Sequence, residues 1–269
     1  MTETNNAKTA NAEIVATDLS VVYNGTEHHT VAIKELNFHV SHREFVCFLG
    51  TSGCGKSTIL KVLAGFIKPT SGTVHFQGKP IDGPNLDRGF VFQQHSLFSW
   101  KTVRGNIEFG LRMRGMEAGQ RKEITEEYIR LVGLTGFEKS YPEQLSGGMQ
   151  QRVGLARALA SNPSVIMMDE PFGSLDAQTR GIMQELLLGI WTESRKTIVF
   201  VTHDVDEAIV LADRIIVLTA RPGHVKTELV VPLLRPRDQK IVVTPEFISI
   251  KRQVMESIRE ETMKLLPGR

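Results

Sequence analysis

The sequence predicts an α/β fold built on a parallel sheet, and three observations carry that prediction. Apolar runs of strand length, Glu44-Phe45-Val46-Cys47-Phe48-Leu49, Val165-Ile166-Met167-Met168 and Thr197-Ile198-Val199-Phe200-Val201, alternate with amphipathic helical stretches. Each run ends in polar or glycine-rich residues, at the carboxyl end where ligands bind in such sheets. Finally, 41% hydrophobic and 23% charged residues over 269 positions are enough for an ordinary globular core.

Taken in order, residues 1 to 12 are polar and are expected to form a flexible N-terminus. Ile14 to Tyr23 reads as a strand closed by Asn24-Gly25, and Leu36, Phe38 and Val40 alternate with polar residues in a second strand. With Thr73-Val74-His75-Phe76 and the turn at Gln77-Gly78, these form an antiparallel β subdomain. After the strand at 44–49, Ile59, Val62, Leu63 and Phe66 recur at helical spacing, and Gly65 with Pro69 ends that helix. Phe90-Val91-Phe92 is a short strand ending in Gln93-Gln94. An α-helical subdomain is inserted at about 95–160. It contains helices over Thr102 to Met113, over Arg121 to Val132 with Ile124, Tyr128, Leu131 and Val132 on one face, and over Val153 to Ala160 before Asn162-Pro163. The core resumes with the strand at 165–168. Ile182, Met183, Leu186, Leu187, Ile190 and Trp191 then define an amphipathic helix, and Asp206 to Leu211 a short one. Arg214 to Leu218 and Lys226 to Val231 are strands flanking Arg221-Pro222-Gly223. Residues 236–269 form a C-terminal helical extension opened by Thr244-Pro245, with Phe247, Ile250, Val254 and Ile258 in a stripe that docks either on the chain's own core, the default, or on the partner subunit.

Bulk properties exclude some classes. With 32 basic and 30 acidic residues the net charge is +2, so no global field favours nucleic acid. Cys47 and Cys54 sit in one strand and the loop after it, which suits a reducing compartment better than a disulfide. No leader-like block and no run of about 18 apolar residues occurs, so the chain is expected in the cytosol unless a partner holds it at a membrane.

The chemistry concentrates at the strand ends. Gly50-Thr51-Ser52-Gly53-Cys54-Gly55-Lys56-Ser57 fits G-x-x-x-x-G-K-[ST] at every fixed position, between a buried strand and a helix. Its glycines let backbone N–H groups face a phosphate, Lys56 brings a charge to the β- and γ-phosphates, and Ser57 offers a hydroxyl to Mg²⁺. Asp169 and Glu170 end the next core strand as adjacent carboxylates: Asp169 to hold Mg²⁺ through its water shell, Glu170 to polarise a water attacking the γ-phosphate. Leu145-Ser146-Gly147-Gly148-Met149-Gln150 adds a serine and two glycines just before a helix, a second site suited to phosphate.

These motifs, in this order over about residues 13 to 235, resemble the ATPase subunits of ATP-binding cassette (ABC) transporters. The resemblance implies a P-loop NTPase (RecA-like) core, ATP and Mg²⁺ as ligands, and a head-to-tail homodimer in which Ser146 and Gly148 of one copy close over the γ-phosphate held by Lys56 of the other. It also places Thr58, Gly147 and Gln150 beside the nucleotide. Tyr23 is similar to the adenine-stacking aromatic, and Gln93 to the glutamine that senses Mg²⁺ and water. Gln94 is the rival, and Gln93 is preferred because it directly follows its strand. Asp176 is similar to the loop that communicates across the dimer, a role compatible with an ordinary helix cap. His203 is similar to the switch histidine at the γ-phosphate. Cys54 occupies a free loop position, as a small tolerated residue or as a thiol activated by Lys56 and the helix terminus.

Phe98-Ser99-Trp100-Lys101-Thr102-Val103, and Leu211-Ala212-Asp213-Arg214 leading to Arg221-Pro222-Gly223, resemble the importer branch for nitrate, sulfonates, taurine and related small solutes. The implied protein is an ATP-hydrolysing subunit at the cytoplasmic face of the membrane. It would dock on permease subunits, with Phe98 and Trp100 near the groove for a permease helix, and be supplied by an extracytoplasmic solute-binding protein. The alternatives are a soluble cassette ATPase acting on nucleic acid or ribosomes, or an ATP-dependent switch with little turnover. Residues 57 to 145 leave no room for a long coiled coil, there is one cassette, and no basic stripe is evident.

Overall fold

Apolar runs buried on both faces become parallel strands here, and runs that alternate become antiparallel ones. A computed structural model describes residues 11–25, 29–94 and 96–264, so all but the end of the expected flexible N-terminus lies outside the described residues. In chain order these residues form β1 (Ala12–Asn24), β2 (His29–Ser41), β3 (Phe45–Leu49), α1 (Lys56–Ala64), β4 (Ser71–Phe76), β5 (Lys79–Pro80), β6 (Arg88–Val91), α2 (Val103–Met113), α3 (Ala118–Leu131), α4 (Gly147–Ala160), β7 (Val165–Asp169), α5 (Ala177–Ser194), β8 (Thr197–Thr202), α6 (Val205–Leu211), β9 (Arg214–Leu218), β10 (Val225–Val230) and α7 (Pro245–Lys264). They divide into two compact units, one of described residues up to Pro84 and from Arg195 on, the other Asn85–Ser194.

In the first unit, β3 pairs in parallel with both β8 and β9, and every residue of all three strands is buried. Antiparallel β10 extends this sheet from β9, a departure from the alternating strand and helix pattern read for that region. A second, antiparallel sheet has the order β2-β1-β4-β5. Phe38 meets Phe48 edge-on at 5.0 Å. Arg214 fastens several of these strands: its guanidinium donates to Glu44 Oε1 and to Glu228 Oε2, both at 2.7 Å, and to the His39 carbonyl at 2.6 Å. Removing one partner of such a buried pair typically costs about 3–5 kcal/mol.

The tail helix α7 docks on its own unit through Phe247, Ile250 and Val254. Ile258, expected to continue the stripe, is only half-buried, and Glu261 is buried instead. Its carboxylate accepts from Lys264 Nζ (2.7 Å), the Ala220 N–H (3.0 Å) and Lys226 Nζ (2.9 Å). Arg237, also buried, donates to the carbonyls of Ile209, Val210 and Ala212 at the end of α6, and to those of Val231 and Leu233. Desolvation lowers its pKa to about 10.

In the second unit, β6 and β7 form a parallel pair beside helices α2 to α5. Val103, Ile107, Ile129, Leu134, Val153 and Ala156 form its helical core. Some expected core positions move. Ile129 and Thr125, not Leu131, are buried in α3, Leu131 being 40% exposed. Ile182 on α5 is exposed, as are Phe66, beyond the Gly65 cap of α1, and Phe92, beyond the end of β6. Helix α4 begins at Gly147, earlier than the run from Val153 suggested. Among the described residues no helix is long and apolar enough to cross a membrane.

Glu261 links stability to pH. Burial alone would raise its pKa, but the bonds from Lys264, the Ala220 N–H and Lys226 outweigh burial and hold it at about 2, below the ordinary 4.5. A depressed carboxylate contributes stability that is present above 4.5 and lost as pH falls toward 2. In urea titrations, Glu261→Gln should therefore be less stable than wild type at neutral pH, and the gap should close across that acid window.

Candidate functional site

Residues 50–55 join β3 to α1 and must turn sharply under the antiparallel sheet. Gly55 takes φ +100°, and a Cβ there would lie 2.9 Å from the Ala32 carbonyl oxygen, so only glycine fits. Gly53, at φ +77°, also uses the left-handed region, and it and Ser52 are exposed. Lys56, 5% exposed, is the first helical residue, and its Nζ donates to the carbonyls of Gly50 (2.9 Å) and Thr51 (3.1 Å). These carbonyls compensate an ammonium that burial would otherwise penalise. Ser57 follows, partly exposed, and Thr58 is buried with its hydroxyl 3.2 Å from that of Tyr23. Tyr23, next to last in β1, has 42% of its surface exposed, so one end of the ring is held and the rest is open to contact.

Both cysteines are buried. Burial pushes the Cys47 thiol well above its usual pKa, with Glu207 adding to the effect. Cys54 packs its sulfur against the loop, where a Cβ added to Gly50 would come within 2.7 Å of it. Cys54 is 1% exposed, and thiol reactivity needs access.

Within each unit, strand register sets further residues at the carboxyl ends of the strands. Leu49 pairs with Thr202, so Gly50 and the exposed His203 leave neighbouring strands side by side. Within the second unit Val91 pairs with Met168, and Gln93 and Glu170 each lie two residues beyond. Gln93 is exposed and follows Phe92 rather than the strand itself. Asp169 ends β7, 7% exposed. Glu170 has φ +45°, a left-handed conformation uncommon for a residue with a Cβ and found where a side chain must be aimed. The Gly173 N–H donates to the Glu170 carbonyl at 3.2 Å and closes that turn.

Ser146 is the N-cap of α4: its Oγ accepts the Met149 N–H at 3.3 Å, and Gly147 and Gly148 are the first helical residues rather than a lead-in to the helix. Ser146 and Gly147 are exposed. The Gln150 amide is turned back to donate to the carbonyls of Pro142 (2.9 Å) and Leu145 (3.2 Å), holding the approach to this helix. Asp176 caps α5 by accepting from the N–H groups of Gln178 (3.1 Å) and Thr179 (3.0 Å). The Thr179 backbone bond leads in holding its carboxyl below the usual range. A Cβ on Gly148 would touch Thr179 Cγ2 at 3.5 Å, so the starts of α4 and α5 are neighbours.

Sequence reasoning passed over Asn106, which is fully buried. Its Oδ1 accepts the Phe98 N–H, and its Nδ2 lies within 3.2 Å of the carbonyls of Phe98, Lys101 and Thr102. This fixes the loop carrying Phe98, whose ring is tilted against that of Phe109 with centroids 4.6 Å apart, and Trp100, which is 72% exposed. A polar residue on the inner face of a predicted helix, a turn beyond its cap, was the available signal. Arg221 was noted only as part of a motif. It lies against the phosphate loop, its Nε donating to the Gly53 carbonyl at 3.0 Å.

Comparison with known proteins agrees with this arrangement. The ABC transporter family model matches residues 33–173. The nitrate import ATP-binding protein NrtD of Synechocystis is 45% identical over 249 residues, 90% of this chain and 94% of that protein. The taurine import ATP-binding protein TauB of Pelagibacter ubique is 43% identical over 252 residues, 92% and 95%. Among solved structures, a dimeric ATP-binding cassette in a post-hydrolysis state, bound to ADP and Pi, superimposes with a TM-score of 0.74 at 33% identity, over 82% of this chain and 100% of that one. The fold is that of a P-loop NTPase, and the chain belongs to the ABC transporter family as an ATP-hydrolysing subunit.

Proposed function

We propose that this chain powers import of a small anion of the nitrate, sulfonate and taurine class, hydrolysing ATP in composite sites formed by two copies. One observation carries the composite site: the chain has two helix starts suited to phosphate, one headed by buried Lys56 and one exposed and capped by Ser146. A single γ-phosphate needs both kinds of contact, and the dimeric form of the solved cassette supports supplying the second from a partner copy. The substrate class rests on the names of the nitrate and taurine relatives.

In this reading the N–H groups of residues 50–55 and Lys56 bind the phosphates, and Tyr23 stacks on adenine with its hydroxyl tethered to Thr58. Ser57, Gln93 and Asp169 offer a hydroxyl, an amide carbonyl and a carboxylate, the hard oxygen set that Mg²⁺ takes. Bound there, Mg²⁺ would neutralise charge on the β- and γ-phosphates. Glu170 orients and polarises the attacking water, and His203 contacts the γ-phosphate from the neighbouring strand end. Ser146, Gly147 and Gly148 close over the partner copy's nucleotide, Gln150 holds their approach, and Asp176 faces across the dimer. ATP favours the closed pair, and permease subunits read closed against open. The exposed Trp100, on the loop locked by Asn106, is the permease contact. The chain sits peripherally at the cytoplasmic face, a solute-binding protein delivers the anion, and nucleic acid takes no part.

Three outcomes test this. Lys56→Ala should abolish ATP binding or turnover. Glu170→Gln should slow phosphate release by about 10²–10⁴-fold while ATP still binds, and with ATP it should elute as a dimer on size exclusion; elution only as a monomer would sink the composite site. Trp100→Ala should lose co-purification with the permease, and wild type that never co-purifies with one would favour the soluble-ATPase alternative.

A further inference from the structure

The connection between β9 and β10 is built into the phosphate loop. The Gly223 N–H donates to the Ala32 carbonyl at 3.0 Å, and its own carbonyl accepts the Lys34 N–H at 3.2 Å. A Cβ at Gly223 would lie 2.2 Å from the Cys54 carbonyl oxygen. Thr219 Oγ1 braces the turn, donating to the Pro222 carbonyl and accepting the His224 N–H, both at 2.9 Å. From this rigid turn Arg221 reaches the loop: its Nε donates to the Gly53 carbonyl at 3.0 Å, and its Nη2 would lie 2.4 Å from a Cβ on Gly53. The residue before Arg221 is tied to the tail helix, since the Ala220 N–H donates to buried Glu261 at 3.0 Å.

A trans peptide points its C=O and N–H in opposite directions. A guanidinium holding the Gly53 carbonyl therefore fixes the plane of the peptide whose other end, the Cys54 N–H, donates to the Thr51 carbonyl at 3.3 Å and closes the loop's turn. Gly53, free of a Cβ, would otherwise let that plane rotate. We propose that Arg221 is a positioning residue of the nucleotide site, and that Glu261 on the tail helix holds Arg221 in place. The tail helix is then part of the ATP-binding apparatus. This rests on reading residues 50–57 as the ATP phosphate loop.

The test is steady-state ATP hydrolysis by the full chain. Arg221→Ala, an exposed position whose loss the fold tolerates, should raise KM for ATP about 5-fold with kcat within about twofold, because it touches binding and not the attacking water. Arg221→Lys, which can still donate to the Gly53 carbonyl, should recover most of the loss. Glu261→Ala should raise KM in the same way, and the double variant should rise no further than Arg221→Ala alone. If Glu261→Ala does not fold, Glu261→Gln keeps an acceptor for the Ala220 N–H and should retain a wild-type KM. Wild-type KM in Arg221→Ala, a change confined to kcat, or effects that multiply in the double variant would overturn the proposal. Full activity in Lys56→Ala would instead remove the site reading beneath it.

Discussion

The in-register parallel pairing of β3 with β8 is the constraint on which the site depends. Leu49 opposite Thr202 means that the chain leaves both strands at one level, so the phosphate loop and His203 emerge as neighbours without any contact chosen for that purpose. The same device operates in the other unit, where Val91 opposite Met168 sets Gln93 beside Glu170. A slip of one residue would turn every side chain of a strand to the opposite face. In β3 and β8 both faces are buried, so the penalty of a slip falls on specific packing such as Phe45 against Phe200 at 5.9 Å.

Satisfied buried polar groups do the remaining positioning. Burying an amide, a guanidinium or a carboxylate is unfavourable unless each of its hydrogen-bonding atoms finds a partner. That cost is what makes such groups specific. Asn106 meets it with one loop, Arg214 with the ends of several strands, Arg237 with the last carbonyls of α6, and Glu261 with α7 and the turn before Arg221. Asn106, Arg237 and Glu261 act where regular hydrogen bonding runs out, and Arg214 joins strands of the two sheets. Leu, in the same places, would fill the volume and leave the loops free to shift.

This division explains what could be read in advance. Strands buried on both faces announce themselves as apolar runs, and the phosphate loop, the carboxylate pair and the capped signature helix each occupy contiguous residues whose chemistry is local. Misread residues sat where periodicity loses meaning: Phe66 and Phe92 just past an element's end, and Leu131 in the last position of α3, two residues beyond the buried Ile129. Glu261 and Asn106 were missed for a different reason. A carboxylate or amide in sequence looks like a solvated one until its partners, Ala220 at 41 positions' separation or Phe98 around a loop, are known. The Arg221-Pro222-Gly223 turn was visible as a motif but not as a contact, because its partner Gly53 lies 168 positions away.

The two phosphate-suited helix starts differ in a way that gives them different work. The first N–H groups of any helix lack intrahelical partners. At α1 the N-cap is Gly55, which has no side chain to satisfy them, and the adjoining Lys56 is buried among the loop carbonyls. That start is shaped to enclose an anion. At α4 the Ser146 hydroxyl takes the Met149 N–H, while exposed Gly147 and half-buried Gly148 present backbone without side-chain bulk. That start is shaped to be pressed against an anion already held elsewhere. An enclosing site binds by itself, whereas an open, pre-capped one gains only when a surface carrying phosphate approaches it. In the proposed function, a chain with one of each has the asymmetry that head-to-tail pairing requires, and two copies so paired would complete two sites.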